Sequence, residues 1–199
     1  MSEKNVRILK AVFLKSAAKA EQYPKYPYPE FAFFGRSNVG KSSLLGMILS
    51  GLAKVKTSAK PGHTQTVNFF VVNDSISFAD LPGFGYAEAP GAIKDGFMPM
   101  IREYIAKRDN LKVAFLLIDI RRTPGKEEEQ ILSALEKRGI PTAIIATKAD
   151  KMSNSQLAKR LKEISEELDI AKEDIFPTSS LKGKGKADIL RLVTQFAER

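Results

Sequence analysis

The stretch Gly35-Arg36-Ser37-Asn38-Val39-Gly40-Lys41-Ser42 follows an apolar run, Phe31-Ala32-Phe33-Phe34, and leads into Leu44, Leu45, Met47, Ile48 and Leu49 at helical spacing. Strand, glycine-bounded loop and helix, in that order, give G-x-x-x-x-G-K-[ST] the context of a phosphate-binding loop. Glycines let the backbone turn so that successive N–H groups point inward at one anion, and the helix N-terminus adds partial positive charge. The candidate phosphate contacts are Gly35, Arg36, Ser37, Asn38, Val39, Gly40, Lys41, Ser42 and Ser43. Lys41 can reach the β- and γ-phosphates of a nucleotide, and the Ser42 hydroxyl can ligate Mg²⁺.

Outward from the loop, strand and helix patterns alternate. Thr66–Val72 and Ser75–Ala79 are β-rich, and Asn73-Asp74 between them predicts an antiparallel hairpin. Phe97, Met100, Ile101, Tyr104 and Ile105 predict a helix over 97–109; Val113–Ile118 reads as a buried strand. Lys126–Lys137 reads as a helix with acids early and bases late, the order the macrodipole favours. Ala143–Ala146 is a further strand, Ser153 or Ser155 caps the next helix, Ile175-Phe176 is a short strand, and an amphipathic helix closes the chain. The expected fold is α/β, a three-layer sandwich around a mostly parallel six-stranded sheet with one antiparallel hairpin strand. Residues 1–29, with Val12-Phe13-Leu14 as a short strand or a segment packed on the sheet edge, read as an extension packing on a single globular domain of residues 30–199. Ser50–Thr66 reads as a long functional loop.

Bulk properties narrow the class. The 199 residues suffice for one α/β domain, and 43% hydrophobic content is ordinary for a folded protein. Without cysteine there is no disulfide or thiolate metal site, and a reducing compartment is expected. No apolar run approaches the roughly 18 residues of a membrane span, so a cytoplasmic protein without a membrane partner is expected. A net charge of +9 suits a polyanionic partner such as RNA.

In a doubly wound sheet, ligands bind outside the carboxyl ends of the strands. Asp80–Gly83, Thr147–Asp150 and Thr178–Ser180 each follow a strand, as the glycine loop does. Asp80 is the natural carboxylate for Mg²⁺, directly or through water. Gly83 offers an N–H that can approach a γ-phosphate without Cβ hindrance, so the segment after it can sense a triphosphate. Thr147, Lys148 and Asp150 decide the base. Guanine presents N1–H and its 2-amino group side by side, and one carboxylate can accept both; adenine would set a lone pair against that carboxylate. Lys148 would pack its stem along the base, and Thr178, Ser179 and Ser180 would complete the guanine contacts, the two serines through backbone N–H groups. A small-molecule kinase or ATPase is disfavoured by Asp150.

Together with Pro61-Gly62-His63-Thr64-Gln65-Thr66-Val67-Asn68-Phe69-Phe70, Asp80-Leu81-Pro82-Gly83-Phe84-Gly85-Tyr86-Ala87, Asp119-Ile120-Arg121 and Thr147-Lys148-Ala149-Asp150, the glycine loop resembles the EngB (YihA/YsxC) branch of the Era-like, translation-associated bacterial GTPases over residues 10–199. The resemblance implies a Ras-like fold and a GTP-hydrolysing switch acting in assembly of the large ribosomal subunit. Its partners would be GTP or GDP and the subunit's rRNA, and the protein a monomer. It implies phosphate contact at Gly62 and places Thr64 as the residue meeting Mg²⁺ and γ-phosphate, with Thr66 a nearby competitor. Lys41, Thr64 and Gly83 are then the catalytic candidates, and His63 has no catalytic role. Where Ras-type enzymes carry a water-orienting Gln after this glycine, the chain has Phe84, which implies slow intrinsic hydrolysis. Some relatives with a hydrophobic residue there bind K⁺ through a loop Asn, the position of Asn38; the alternative is that Asn38 only shapes the turn. The other class of reading is a nucleotide-gated RNA-binding module with incidental hydrolysis. Lys182-Gly183-Lys184-Gly185-Lys186, Lys54, Lys56, Lys60 and Arg121-Arg122 are the candidate rRNA contacts.

Overall fold

Strand β2 (Glu30–Gly35) is buried along its whole length. Its side chains alternate across the sheet. Phe31 and Phe33 join Leu44, Leu45 and Ile48 in one core, while Ala32 and Phe34 join Ile101, Tyr104 and Ile131 in the other. A strand apolar on both faces needs helices on both, which makes the molecule three-layered. The computed structural model describes residues 6–54, 66–85 and 91–198.

The helices divide accordingly. α1 (Lys41–Ile48) and α5 (Lys186–Ala197) cover one face; α2 (Gly91–Lys107), α3 (Lys126–Lys137) and α4 (Asn154–Leu168) cover the other. The remaining strands are β1 (Ala11–Ala17), β3 (Val67–Val72), β4 (Ile76–Asp80), β5 (Leu111–Asp119), β6 (Thr142–Thr147) and β7 (Ile175–Pro177). The sheet order is β1-β3-β4-β2-β5-β6-β7, and only β3 runs against its neighbours. Among the described residues the sheet has seven strands rather than the expected six, because Ala11–Ala17 pairs with β3 from Ala11↔Val72 to Ala17↔Val67. A bulge between Phe13 and Lys15 interrupts the inside–outside alternation of β1 and hides its strand period in the sequence.

The hairpin falls where Asn73-Asp74 predicts it. Both residues take positive φ, 51° and 52°, the type I′ geometry that Asn and Asp tolerate. Ser153 rather than Ser155 caps α4, in a capping box with Gln156. Helix α2 begins earlier than expected and ends at Lys107 rather than Asp109. Gly91, Gly96 and Pro99 are poor helix formers and mask its first turns, while Arg108 leaves the helix to bind Glu30. Among the described residues no helix is long and apolar enough to cross a membrane.

Candidate functional site

The glycine loop joins the carboxyl end of β2 to α1, whose N-cap Gly40 has φ 106°, a backbone form that L side chains rarely adopt. The first intrahelical bond runs from the Leu44 amide to the Gly40 carbonyl at 2.9 Å. The amides ahead of that bond are those that a helix start leaves without an intrahelical partner. Val39 N–H donates to the Arg36 carbonyl at 3.2 Å and Ser37 N–H to the Phe84 carbonyl at 2.8 Å, so these two amides shape the loop. Asn38 has φ 62°, a left-handed turn position that Asn tolerates.

At the end of β4, the Asp80 carboxylate forms an ion pair with the Lys41 ammonium, both nearly buried. Gly83 lies against the loop: a Cβ there would stand 3.0 Å from the Ser37 Cα. Phe84 buries its ring in the core on the α2–α3 face, so no functional group of that side chain reaches the site.

At the end of β6, the Thr147 hydroxyl donates to the Val39 carbonyl at 2.7 Å and stitches the strand end to the loop. Lys148 has φ 60° and sends its ammonium to the Asn38 carbonyl at 2.8 Å, its stem passing over Gly40. The same ammonium lies 2.9 Å from Asp119, at the end of β5. Asp119 also receives the Arg121 guanidinium at 2.7 and 2.9 Å. Burial pushes the Asp119 carboxyl up, but the hydrogen bonds from Arg121 and Lys148 outweigh it and hold the group well below the usual carboxylate range.

Asp150 sits in a 3₁₀ turn at Ala149–Lys151 and accepts the Ser179 hydroxyl at 2.6 Å. That hydrogen bond leads the causes that lower its carboxyl pKa. The Ala149 amide donates to the Thr178 carbonyl at 2.9 Å and the Thr178 amide to the Ala146 carbonyl at 2.8 Å, so the two loops are bound backbone to backbone. The Ser179 N–H is paired with the Lys184 carbonyl at 3.1 Å. Its contribution here is thus its hydroxyl on Asp150, whereas the sequence reading gave it a backbone role. Ser180 follows in the same turn; Gly62 and Thr64 lie outside the described residues.

A cleft of about 710 Å³ runs between the glycine loop and the β5–α3 connection, lined by Arg36, Asn38, Asp119, Arg121 and Lys148 among others. Its size is that of a small-molecule site. Two of its features were not assigned from the sequence. Asp119 is a hub for two cations, and its position after a buried strand is the same signal that marked Asp80. The Arg36 side chain turns toward α3 and pairs with Glu127 and Glu128 at 3.4 and 3.6 Å, which no local pattern announces.

Among the described residues, no three His, Cys, Asp or Glu side chains are grouped so as to hold a metal ion. A cation at Asp80 and Ser42 would depend on ligand oxygens, the mode of Mg²⁺ on a nucleotide.

A sheet of this order with this loop at its carboxyl edge defines a class, the P-loop GTPases. Residues 30–148 match the family described as "50S ribosome-binding GTPase". Proteins named "Probable GTP-binding protein EngB" are similar over most of their length. The one from Citrifermentans bemidjiense is 44% identical, covering 87% of this chain and 81% of the relative. The one from Fusobacterium nucleatum is 43% identical, covering 96% and 98%. The chain belongs to the EngB family of GTP-binding proteins, and it is a GTPase. Solved structures agree on the fold. A probable GTP-binding protein engB superposes with TM-score 0.70 at 23% identity over 85% of this chain and all of the other. Era in complex with MgGDPNP and nucleotides 1506–1542 of 16S ribosomal RNA superposes with TM-score 0.62 at 21% identity, over 85% of this chain and 56% of Era.

Proposed function

We propose that the protein is a GTP-dependent switch acting, as a cytoplasmic monomer, in assembly of the large ribosomal subunit. The observation that carries this reading is the meeting of the glycine loop, Asp80 and the Lys148–Asp150 turn at one edge of the sheet, in a chain whose family description names the 50S ribosome. In this reading Lys41 exchanges Asp80 for phosphate oxygens when a nucleotide binds. Ser42 and Asp80, with Thr64, would hold Mg²⁺, which would offset phosphate charge. Gly83 meets the γ-phosphate, and Asp150 reads guanine beside Thr147, Lys148, Thr178, Ser179 and Ser180. Bound GTP, meeting Thr64 and Gly83, creates a subunit-binding surface that hydrolysis dissolves.

The buried Phe84 ring can neither orient water nor stabilise charge, so unaided turnover is slow. Two measurements follow. Turnover with purified large subunits is expected to rise at least about tenfold over the protein alone, which is 1.4 kcal/mol of added transition-state stabilisation. No stimulation, with GTP-dependent binding to subunits intact, would favour the alternative of a nucleotide-gated RNA-binding module. Affinity for the subunit should fall with salt at a slope near −0.7 to −0.9 per neutralised phosphate, as expected for backbone contacts by its lysines and arginines. For the cation, Asn38 is assigned a share in binding K⁺ beside the phosphates. Turnover should be faster in KCl than in NaCl at equal ionic strength, and equal rates would reduce Asn38 to a turn residue.

A further inference from the structure

Arg36 is the second residue of the glycine loop, yet its side chain leaves the loop's concavity. The loop and the segment beginning at Gly83 are laced by backbone bonds: Phe84 N–H to the Gly35 carbonyl at 3.3 Å and Ser37 N–H to the Phe84 carbonyl at 2.8 Å. The guanidinium lies directly over Gly85, where a Cβ would stand 2.7 Å from Nη2 and 2.8 Å from Nε. Gly85 has φ 69°, a backbone form that favours glycine, and the bare glycine leaves room for the guanidinium to lie close over it. On its far side Arg36 faces Glu127 and Glu128, and buried Glu128 in turn accepts the Gly125 amide at 3.0 Å. The carboxylate contacts are long, and among the described residues the buried Nε has no hydrogen-bond partner. This guanidinium is held by packing and charge rather than by a full set of hydrogen bonds, which makes the hold releasable.

We propose that Arg36 is a positioning residue that clamps Gly83–Gly85 onto the phosphate loop and ties both to the N-terminal end of α3. The inference rests on the reading of Gly83 as the γ-phosphate sensor. The direction of the effect follows from the geometry. In the clamped position Gly83 is docked against Ser37, next to the loop that would carry the phosphates. The clamp therefore stabilises the arrangement in which the Gly83 amide can meet a third phosphate, an interaction a diphosphate cannot make. Removing the guanidinium frees Gly83–Gly85 and penalises the triphosphate selectively.

The test measures binding of GDP and of a non-hydrolysable GTP analogue to the wild-type protein and to Arg36→Met, which keeps an apolar stem. The ratio of analogue affinity to GDP affinity should fall at least about fivefold, the low end of typical coupling between sites. Arg36→Lys, which keeps the charge but not the planar span, should recover part of it and carries the test if the Met variant does not fold. Glu127→Gln should shift the ratio in the same direction by less. An unchanged ratio in Arg36→Met and Arg36→Lys overturns the clamp. Hydrogen exchange on the wild type separates this from the underlying reading. If the amides of Gly83–Gly85 exchange equally with analogue and with GDP, then Gly83 is no sensor, whatever Arg36 does.

Discussion

Replacing Asp150 by Asn is expected to lower GTP affinity by on the order of 10⁴, with xanthosine triphosphate becoming the better ligand. The substitution is nearly isosteric, and its carbonyl oxygen can still accept the Ser179 hydroxyl that Asp150 accepts at 2.6 Å. The turn and the fold therefore persist. What changes is the second group, from an acceptor to an amide donor. Guanine offers two donors side by side, so one now meets a donor and both lose their partners on desolvation. Xanthine replaces the 2-amino group with a carbonyl and restores both bonds. Calorimetry with GTP, GDP and xanthosine nucleotides checks this, and unchanged GTP binding refutes the base assignment. A pH dependence follows from the same site. The Ser179 hydroxyl is the leading cause that lowers the Asp150 carboxyl pKa, so the carboxylate persists into mild acid. GTP affinity should hold down to the ordinary carboxylate range and fall only below it, as the carboxylate takes up a proton.

Arg108→Ala is expected to cost about 3–5 kcal/mol of stability, a large share of what a domain has. Its guanidinium donates to Glu30 at 2.6 and 2.7 Å, and the Tyr104 and Tyr26 hydroxyls donate to the same carboxylate at 2.5 Å. Glu30 is wholly buried at the start of β2. Burial alone would lower the Arg108 pKa, but the hydrogen bonds and charge of Glu30 hold it above its ordinary value. Arg108 also donates to the Pro24 carbonyl at 2.9 Å and lies 5.1 to 6.0 Å from the ring centres of Tyr23, Tyr26 and Phe69. The arginine thus joins the end of α2, the sheet and the stretch from Tyr23 to Tyr26 ahead of β2. Removing it strands a carboxylate in the core. The double change Arg108→Met with Glu30→Gln should recover much of the loss, because no buried charge is then left unpaired. Urea unfolding of the two single variants and the double variant measures the coupling. A loss under about 1 kcal/mol in Arg108→Ala would show that the pair is not the anchor of α2.

The glycine loop was legible because its chemistry is local. Turn, helix start, lysine and hydroxyl all lie within eight residues, and strand and helix flank them. The loop-borne residues after β4, β6 and β7 were legible for a topological reason: a parallel sheet delivers every strand end to one edge. The hairpin and Lys126–Lys137 followed from turn chemistry and charge order. Other features were not legible. Nothing near Arg36 in the sequence points to Glu127 and Glu128, which approach only when α3 packs beside the loop. Nothing near Glu30 in the sequence points to its partner, which lies 78 residues away. The Ser179 hydroxyl meets Asp150 only because β6 and β7 pair, from Ile144↔Ile175 to Ala146↔Pro177.

Sequence alone determined the fold class, the glycine loop between strand and helix and the edge of the sheet to which the candidate site residues are delivered, because these rest on spacing, residue type and strand order. Tertiary structure decided what the polar side chains do there. Arg36 faces α3, Asp119 gathers Arg121 and Lys148, and Glu30 with Arg108 closes the opposite end of β2. A buried charge takes the partner that packing brings to it, and for Glu30, Arg36 and Lys148 that partner lies far away in the chain.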